Sequence, residues 1–390
     1  MIRRIGHVTT DYRPAVGGAE IYVAALKREL ASIAEEQIVF QLDNRDHDPE
    51  LESDPAIVLI PRLPGPYKWR RGPNLYWFNH GLKRAAIRAK LKECDLLIVH
   101  YPFHWPAVRW HPRVIAVSHC VEWCQPPKRF THRRRKSIAK RCVKDAAGIV
   151  ANDTNFWREM GIRVQPKEKL WEEVAPRRWC LPNAVDTKQF SPKVEARMPD
   201  RLNLYLSRGF GAPRPFILVA RNAMPHRGIH LAIEGLGRIA ADHPDMALVV
   251  AGSHPSKSYR AQCDQVTASF GIKDRVAYMG HVPPEEMPGL YRCAALTLVP
   301  TIRHEGTSLA ALEAMACGTP TISSNHGGLA DLPTVQVPAD GKKLAKAIEE
   351  VWIRREEIGK RQRKVVKEKF AIDRWGEAWR GVVEKVMGAK

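Results

Sequence analysis

Short runs of consecutive apolar residues recur along the chain, and each run has the length of a buried strand. Segments with apolar residues at helical spacing separate these runs, so strands and helices alternate. The runs lie at residues 4–10, 38–42, 56–60, 95–100, 114–119, 148–152, 216–221, 246–252 and 295–299. Because alternating strands and helices build parallel sheets covered by helices, the pattern predicts an α/β fold.

The alternation forms two successive series, which indicates two Rossmann-like domains within the 390 residues. The first domain is predicted at residues 1–186 and the second at residues 215–370. Residues 187–214 are polar and contain proline, as expected of a linker, and residues 371–390 are predicted to form an amphipathic helix. No run of about 18 uncharged apolar residues occurs, so we expect neither a transmembrane helix nor a signal peptide.

A net charge of +20 changes this picture, because it implies an anionic partner. Residues 51–150 hold 20 Lys and Arg against six Asp and Glu, so most of the excess lies in about a quarter of the chain. Nucleic acid, an anionic membrane surface and a phosphorylated acceptor are the candidates.

The eight cysteines include one close pair, Cys120 and Cys124, without a second pair at zinc spacing. We therefore expect the reduced thiols of a cytosolic protein.

Two segments of this basic region are candidates for contact with the partner. Residues 74–91 predict one helix, whose apolar side either covers a sheet or lies on an anionic membrane. The loop before it combines aromatic and basic side chains suited to a membrane surface: Tyr67, Lys68, Trp69, Arg70 and Arg71. Residues 126–144 are basic on nearly every side of a helix and include Arg133, Arg134 and Arg135.

Residues 300–331 carry the strongest chemical signal. An apolar strand ends at Pro300, and Thr307 or Ser308 can cap the helix that follows it. A helix N-terminus offers free N–H groups and partial positive charge to a phosphate. Glu305 lies just before this helix and Glu313 lies within it, so their carboxylates can accept hydrogen bonds from hydroxyls. A nucleotide-sugar carries both phosphate and hydroxyl groups, but the two glutamates alone are also typical of an ordinary surface strand–helix–strand unit in which Glu305 is a first-turn acid and Glu313 is solvated.

The string that begins at Glu305, EGTSLAALEAMACGTPTISS, resembles the donor-site signature of the retaining family-4 glycosyltransferases. The resemblance implies the GT-B fold: two Rossmann-like parallel-sheet domains that face a deep cleft, with a C-terminal helix crossing back to the first domain. It also implies that Glu305 holds hydroxyls of the donor sugar and that Glu313 holds those of the ribose. The first domain would then bind the acceptor, for which we expect the loops at residues 62–77 and 120–135.

The same resemblance places further residues at the donor. His119 is expected to touch the sugar beside the scissile bond, while Arg221 and Arg227 would grip the diphosphate. Cys120 and Ala184 depart from the family pattern, which has Asp or Gly after the histidine and Gly in the hinge; Arg227 replaces a lysine but preserves its charge. The remaining expected donor-binding residues are Gly17, Gly18, Gly252, His281, Val282, Gly306, Thr307, Ser308 and Leu309.

The sequence also bears on metal and cofactor use. Asp46 and Asp48 form a D-x-D motif, but polar residues surround it, so we interpret it as an ordinary loop and not as a metal site. The resemblance implies retention of configuration at the anomeric carbon, with no metal and no cofactor besides the nucleotide-sugar.

The leading hypothesis is a glycosyltransferase that moves a sugar from a nucleotide-sugar to a lipid-linked or phosphorylated glycan acceptor. It would work in the cytoplasm, peripherally at the inner face of the membrane. A GT-B phosphorylase and a nucleotide-sugar epimerase are alternatives that share the donor site. A basic nucleic-acid-binding protein is a third alternative, but no recognisable RNA or DNA module is present, so no nucleic-acid partner is expected.

Overall fold

The structure is a computed structural model that describes residues 1–13, 17–44, 48–63, 76–121, 123, 129–192, 200, 215–303 and 305–388. These residues form two compact units. The first comprises Met1–Pro182 and Trp375–Lys390, and the second comprises Asn183–Arg374. Of the predicted linker, residues 187–192 belong to the second unit, where the Phe190 ring meets Tyr291 edge to face at 6.2 Å. Residues 193–199 and 201–214 of the linker lie outside the described residues.

The first unit is built on a sheet that has eight strands within the described residues, in the order β3-β2-β1-β4-β5-β6-β8-β7. Neighbouring strands are parallel, except that β7 runs antiparallel to β8. The central strands β4, β5 and β6 are buried along their whole length, which explains their unbroken apolar sequence. The strands are β1 Ile2–Val8, β2 Ala34–Leu42, β3 Ile57–Ile60, β4 Leu96–Val99, β5 Val114–Ser118, β6 Gly148–Ala151, β7 Glu172–Ala175 and β8 Arg178–Cys180.

Helices cover this sheet and close a core that includes the buried Phe78, Trp105, Phe156 and Trp157 side chains. In the described part of this unit the α-helices include Gly18–Leu30, Ala85–Lys92, Trp105–Val108, Arg129–Asp145, Thr154–Glu159 and, for most of its length, Ile372–Gly388. Short 3₁₀ turns lie at Pro49–Glu52 and Pro102–His104.

The prediction of one helix over residues 74–91 is wrong. Within the described part of this segment, residues 76–81 are helical and a second helix begins at Ala85, after three non-helical residues. Gly81 ends the first helix against β3, where a Cβ atom on it would lie 2.3 Å from the Ile60 side chain. Arg84 then takes an extended backbone that begins the second helix. Glycine is a poor helix former, and here its close packing lets the chain turn.

The second unit is built on a sheet whose six described strands are all parallel, in the order β11-β10-β9-β12-β13-β14. The strands are β9 Phe216–Ala220, β10 Ala247–Ala251, β11 Val276–Gly280, β12 Leu296–Val299, β13 Thr321–Ser324 and β14 Val335–Val337. The α-helices are Ile229–Arg238, Lys257–Ser269, Met287–Cys293, Leu309–Ala316, Gly341–Ile353 and Arg355–Lys369. Shorter 3₁₀ turns lie at Pro225–Arg227, Lys273–Arg275 and Gly327–Asp331. With two parallel-sheet units, the predicted α/β class is confirmed.

The C-terminal helix, Ile372–Gly388, is amphipathic and joins the first unit from Trp375 onward. Its Trp375 and Trp379 side chains are almost completely buried, and the Trp379 indole N–H donates to the Tyr22 hydroxyl at 3.1 Å. Hydrophobic burial therefore holds the helix to the first helix of that unit. Among the described residues, we find no helix that is both long and apolar enough to cross a bilayer.

Candidate functional site

Several of the donor-site residues predicted in the second unit lie near the carboxyl ends of two neighbouring strands. Arg221 follows β9 directly, and the segment that contains Glu305 follows β12, its neighbour in the sheet. Ligand sites in open parallel sheets form at this edge, because loops from several strands meet there.

Glu305 is the centre of this group. Its Oε1 atom is ion-paired with Arg221 and lies 3.0 Å from the Nη1 atom of Arg227, while the Thr301 hydroxyl donates to Oε2 at 2.7 Å. Only 14 % of the Glu305 side chain is exposed. Burial opposes its ionisation, but the two guanidinium groups prevail and lower the pKa of Glu305 to about 2. The carboxylate is therefore ionised at neutral pH.

Arg221 is buried and is held from a second side by Ser308. Its Nη1 atom donates to the Ser308 hydroxyl at 3.0 Å, and that oxygen also accepts from the backbone N–H of Ala311 as the cap of helix Leu309–Ala316. Burial first, and then the charge of Arg227, lower the pKa of Arg221, while the Glu305 carboxylate opposes that shift; a guanidinium is basic enough to stay cationic here. One hydroxyl thus couples the helix start to the guanidinium position.

Two glycines allow the backbone to pack closely around these arginines. Gly228 has φ of +72°, and a Cβ atom on it would lie 1.9 Å from the Pro300 carbonyl oxygen. Gly252 has φ of +145°, and its Cβ atom would lie 2.3 Å from the carbonyl oxygen of Arg221. Both positions combine a left-handed φ with backbone contact, so a larger residue would move the arginines or their strand ends.

Glu313 lies in the middle of helix Leu309–Ala316 and contacts a different partner. The hydroxyl of the buried Tyr291 donates to its Oε2 atom at 2.9 Å. Burial raises the pKa of Glu313 to about 7, although the Tyr291 hydrogen bond lowers it. The two acids therefore differ: Glu305 stays charged, whereas Glu313 exchanges a proton near neutral pH.

The start of this helix also forms hydrogen bonds with the segment at residues 182–186, which corresponds to the family's hinge. The backbone N–H of Asn183 donates to the Thr307 hydroxyl at 2.7 Å, and the Asn183 side chain donates to the Thr307 carbonyl oxygen. Ser308, not Thr307, is therefore the helix cap. Ala184 is absent from the residues with positive φ in the described part of the chain, so its replacement of glycine needs no left-handed backbone.

In the first unit, His119 follows β5 and belongs to a group of three histidines. The His119 ring is stacked on His100 with centroids 5.6 Å apart and planes inclined by 8°. His7 lies beyond His100, with their Nδ1 and Nε2 atoms 3.3 Å apart. Burial lowers the pKa of His119 to about 3 and that of His7 to about 4, and lowers that of His100 as well. All three rings are therefore neutral at physiological pH.

Tyr22 connects this histidine group to the C-terminal helix. Its ring meets His119 edge to face at 4.7 Å and Trp375 in the same way at 5.0 Å. Tyr22 lies on the helix that begins at Gly18, and Gly17 precedes that helix with extended backbone. The helix that begins at the predicted Gly17-Gly18 turn therefore contacts the predicted His119 through the ring of Tyr22.

The basic surface is only partly described, because Tyr67, Lys68, Trp69, Arg70 and Arg71 lie outside the described residues. Arg133 and Arg134 are exposed on helix Arg129–Asp145, and Arg135 is partly buried. The guanidinium of Arg134 lies over the Tyr76 ring at 5.2 Å, and that of Arg135 lies over Phe103 at 5.3 Å. Such contacts hold arginines in place without neutralising them.

Both halves of the chain match models of glycosyltransferase families. The family model "Glycosyl transferases group 1" matches residues 207–365, and "Glycosyltransferase Family 4" matches residues 16–170. The chain is a family-4 glycosyltransferase. Its fold is that of a sucrose-phosphate synthase from Thermosynechococcus elongatus, with a TM-score of 0.79 at 22 % identity over 100 % of both chains. The expected GT-B class is thereby confirmed.

Two curated relatives of this family-4 glycosyltransferase extend the comparison. The D-inositol 3-phosphate glycosyltransferase of Acidothermus cellulolyticus is 26 % identical over 80 % of this chain and 71 % of its own. A GDP-mannose-dependent alpha-(1-6)-phosphatidylinositol monomannoside mannosyltransferase of Mycolicibacterium smegmatis is 28 % identical over 82 % of this chain and 80 % of its own.

The structure brings several of the predicted donor-site residues into contact with one another and with residues that were not predicted. Arg221 contacts Glu305 and Ser308, and Arg227 contacts Glu305, while the roles of these residues toward a donor stay predictions. The sequence reasoning missed the contacts that Thr301, Tyr291 and Asn183 make with donor-site residues. Thr301 directly follows the predicted strand end, which was a usable signal. Asn183 lies in the hinge motif beside Ala184, which marked its segment but not its partner, and Tyr291 comes from a distant segment without a local signal.

The other donor residues predicted in the second unit differ in their exposure to solvent. His281 is exposed directly after β11, whereas Val282 is 6 % exposed and packs inward. Gly306 is buried and Leu309 is partly buried at the start of the helix. Of the D-x-D motif, Asp46 lies outside the described residues, while the Asp48 carboxylate is ion-paired with Arg13 at 2.9 Å.

Proposed function

We propose that this enzyme is a retaining, metal-independent glycosyltransferase that moves a sugar from a nucleotide-diphosphate-sugar to a lipid-linked or phosphorylated acceptor. The observation that carries the proposal is the contact of two arginines with one carboxylate beside a helix start. Arg221 and Arg227 present guanidinium groups that match the geometry of phosphate oxygens. Glu305 between them is ionised and can accept hydrogen bonds from sugar hydroxyls.

The arginines support the reaction through the charge that develops in it. Breaking the bond between the anomeric carbon and the diphosphate leaves growing negative charge on the phosphate and positive charge on the sugar. Fixed cationic groups that are positioned before the reaction stabilise such a leaving group. Arg221 is buried and held by Ser308 and Glu305, so it needs little reorganisation. A metal ion would serve the same purpose, and the arginine pair makes one dispensable.

The rest of the donor is assigned by the family resemblance. Glu313 would bind the ribose hydroxyls and His119 would touch the donor sugar. Retention follows from attack on the face from which the diphosphate leaves, with the leaving phosphate accepting the proton of the acceptor hydroxyl. Neither glutamate is assigned as a nucleophile.

Support for the acceptor class comes from charge and from the relatives. The exposed basic side chains of helix Arg129–Asp145 can bind a phosphate or an anionic membrane surface. One relative is named for D-inositol 3-phosphate and another for a phosphatidylinositol mannoside, and each of these compounds contains a phosphate group. We therefore place the enzyme in the cytoplasm, in peripheral contact with anionic lipid.

The decisive experiment measures sugar release and transfer from a panel of UDP- and GDP-sugars, with donors first selected by thermal stabilisation. We expect activity to persist in a chelator. Arg227→Ala should lower kcat/KM by about 100-fold or more, since a charged contact to the leaving group is lost. Arg354→Ala removes an exposed arginine of the same unit and is the matched control. Activity that requires a divalent metal and survives Arg227→Ala would contradict the proposal.

The alternatives give different outcomes in the same assays. Isomerised donor in the absence of acceptor would indicate an epimerase, and sugar phosphate formed from glycan and inorganic phosphate would indicate a phosphorylase. The double variant Arg133→Glu/Arg134→Glu should abolish binding to phosphatidylglycerol vesicles, whereas Arg361→Glu/Lys364→Glu on the second unit should not. Salt-sensitive retention on RNA without vesicle binding would favour the nucleic-acid-binding alternative.

A further inference from the structure

The side chain of Asn152 lies against His119 in a way that determines where the imidazole proton sits. The Asn152 Nδ2 atom is 3.3 Å from the His119 Nδ1 atom. In this orientation of the amide its nitrogen donates, so Nδ1 is the bare, accepting nitrogen of the ring. Because burial lowers the pKa of His119 to about 3, the ring is neutral and its single proton is on Nε2. That Nε2–H is buried and has no hydrogen-bond acceptor among the described residues.

A second asparagine–histidine pair in the same unit has the opposite polarity. Asn79 donates from its amide nitrogen to the Phe103 carbonyl oxygen at 3.2 Å, which fixes the orientation of its amide. Its Oδ1 atom lies 2.6 Å from the Nδ1 atom of His104. An amide oxygen can only accept, so His104 must carry its proton on Nδ1. With the amides oriented in this way, the two buried histidines hold opposite tautomers, and the Asn79 orientation is fixed by its second hydrogen bond.

The ring protons of His7 and of His100, the ring stacked on His119, can be assigned in the same way. Gln37 donates to the Lys27 carbonyl oxygen at 2.7 Å, so its Oε1 atom must accept from the His7 Nε2 atom at 3.0 Å. His7 Nδ1 is then an acceptor and receives the Nε2–H of His100 at 3.3 Å. This chain leaves His100 neutral beside His119, with no proton to share across the stack.

We propose that Asn152 is a positioning residue that keeps His119 as a neutral Nε2–H hydrogen-bond donor for an oxygen of the donor sugar. The inference rests on the proposed function, because the sugar is the ligand that the histidine would meet. Its chemical reason is the positive charge that develops on the sugar as the glycosidic bond breaks. A neutral N–H binds an oxygen lone pair without placing a full positive charge beside that carbon, whereas an imidazolium would oppose the reaction.

The first test reads the tautomers directly by NMR. The full chain is labelled with ¹⁵N-histidine, and long-range ¹H–¹⁵N correlations distinguish a protonated from a bare ring nitrogen. Signals are assigned with His119→Gln and His104→Gln. We expect the proton on Nε2 of His119 and on Nδ1 of His104 at pH 7. Asn152→Asp replaces the donating amide by an accepting carboxylate, so His119 should become protonated on Nδ1. Asn79→Asp, which keeps an acceptor at His104, should change neither ring.

Two NMR results would overturn the proposal: a proton on Nδ1 of His119 in the unaltered protein, or an unchanged His119 pattern in Asn152→Asp. If that variant does not fold, the spectrum of the unaltered protein still decides.

The second test measures transfer kinetics. Asn152→Asp should lower kcat tenfold or more with a smaller change in KM for the donor, while Asn79→Asp keeps both. Unchanged kcat despite a switched tautomer would remove the positioning role. An inactive unaltered protein with the expected spectrum would instead contradict the proposed function.

Discussion

Replacing Glu305 by glutamine tests the electrostatics of the donor site without a ligand. In the folded protein the pKa of Glu305 falls from an ordinary value of 4.5 to about 2, because Arg221 and Arg227 outweigh the cost of burial. One pKa unit corresponds to about 1.4 kcal/mol, so the ionised carboxylate contributes about 3 kcal/mol of stability. Breaking a buried pair by removing one partner costs a similar amount, about 3–5 kcal/mol. Glu305→Gln should therefore destabilise the second unit by about 3 kcal/mol at pH 7.

The pH dependence makes this prediction specific. A carboxyl group with a depressed folded pKa stabilises the protein above its unfolded pKa and loses that effect as the pH falls through the folded value. The difference between the unaltered protein and Glu305→Gln should therefore be full above pH 4.5 and shrink as the pH approaches about 2.

The assay is urea unfolding followed by hydrogen–deuterium exchange, which reports separately on peptides of the second unit. Glu357→Gln removes a carboxylate of that unit whose ion pair with Arg354 is fully exposed, and it should leave the midpoint unchanged. A loss below about 0.5 kcal/mol for Glu305→Gln at pH 7 would refute the reasoning, since it would equate this pair with a surface ion pair. A loss that persists undiminished at pH 3 would refute it as well.

Three further changes probe the same unit. Gly228→Ala should cost about 1–3 kcal/mol more than Gly271→Ala, because both have positive φ but only Gly228 lies against a carbonyl oxygen; urea midpoints of the two variants decide this. Ser308→Ala should cost about 2 kcal/mol, against about 1 for the exposed cap Ser256→Ala, since it also leaves a buried guanidinium donor unpaired; equal losses would contradict this. Glu313 has a folded pKa raised to about 7, so its burial should destabilise the protein increasingly as the pH rises from 4.5 to 7. Melting temperatures of Glu313→Gln should not show that decline, and a parallel decline would count against the pKa.

Much of the fold was predictable because its central strands are buried on both faces. Parallel strands covered by helices are continuous apolar runs, and runs such as residues 114–119 and 295–299 coincide with strands of the structure. The candidate donor-site segment at residues 300–331 could be predicted equally well, because Glu305, Ser308 and the helix that follows lie within a few residues of one another. Local spacing of this kind survives folding almost unchanged.

What escaped prediction depends on contacts between distant parts of the chain. Tyr291 reaches Glu313 from another helix, and Asn152 reaches His119 from the end of the neighbouring strand. No local pattern marks either residue, because their positions are set only when the sheet assembles. The break in the predicted helix at residues 74–91 has the same origin. Gly81 is an acceptable if weak helix residue until its packing against Ile60 is known.

The contacts of Glu305 connect the fold to the proposed chemistry through charge. Without a donor, its carboxylate already neutralises part of the charge of Arg221 and Arg227. A diphosphate that engages these arginines weakens their hold on the carboxylate, which frees carboxylate oxygens for sugar hydroxyls at the same moment. A sugar without a diphosphate has to break the ion pairs without compensation, and a nucleotide without a sugar leaves a buried carboxylate poorly paired. If the proposed donor binds here, the two exchanges are coupled, and we expect the site to favour the intact donor over either of its parts.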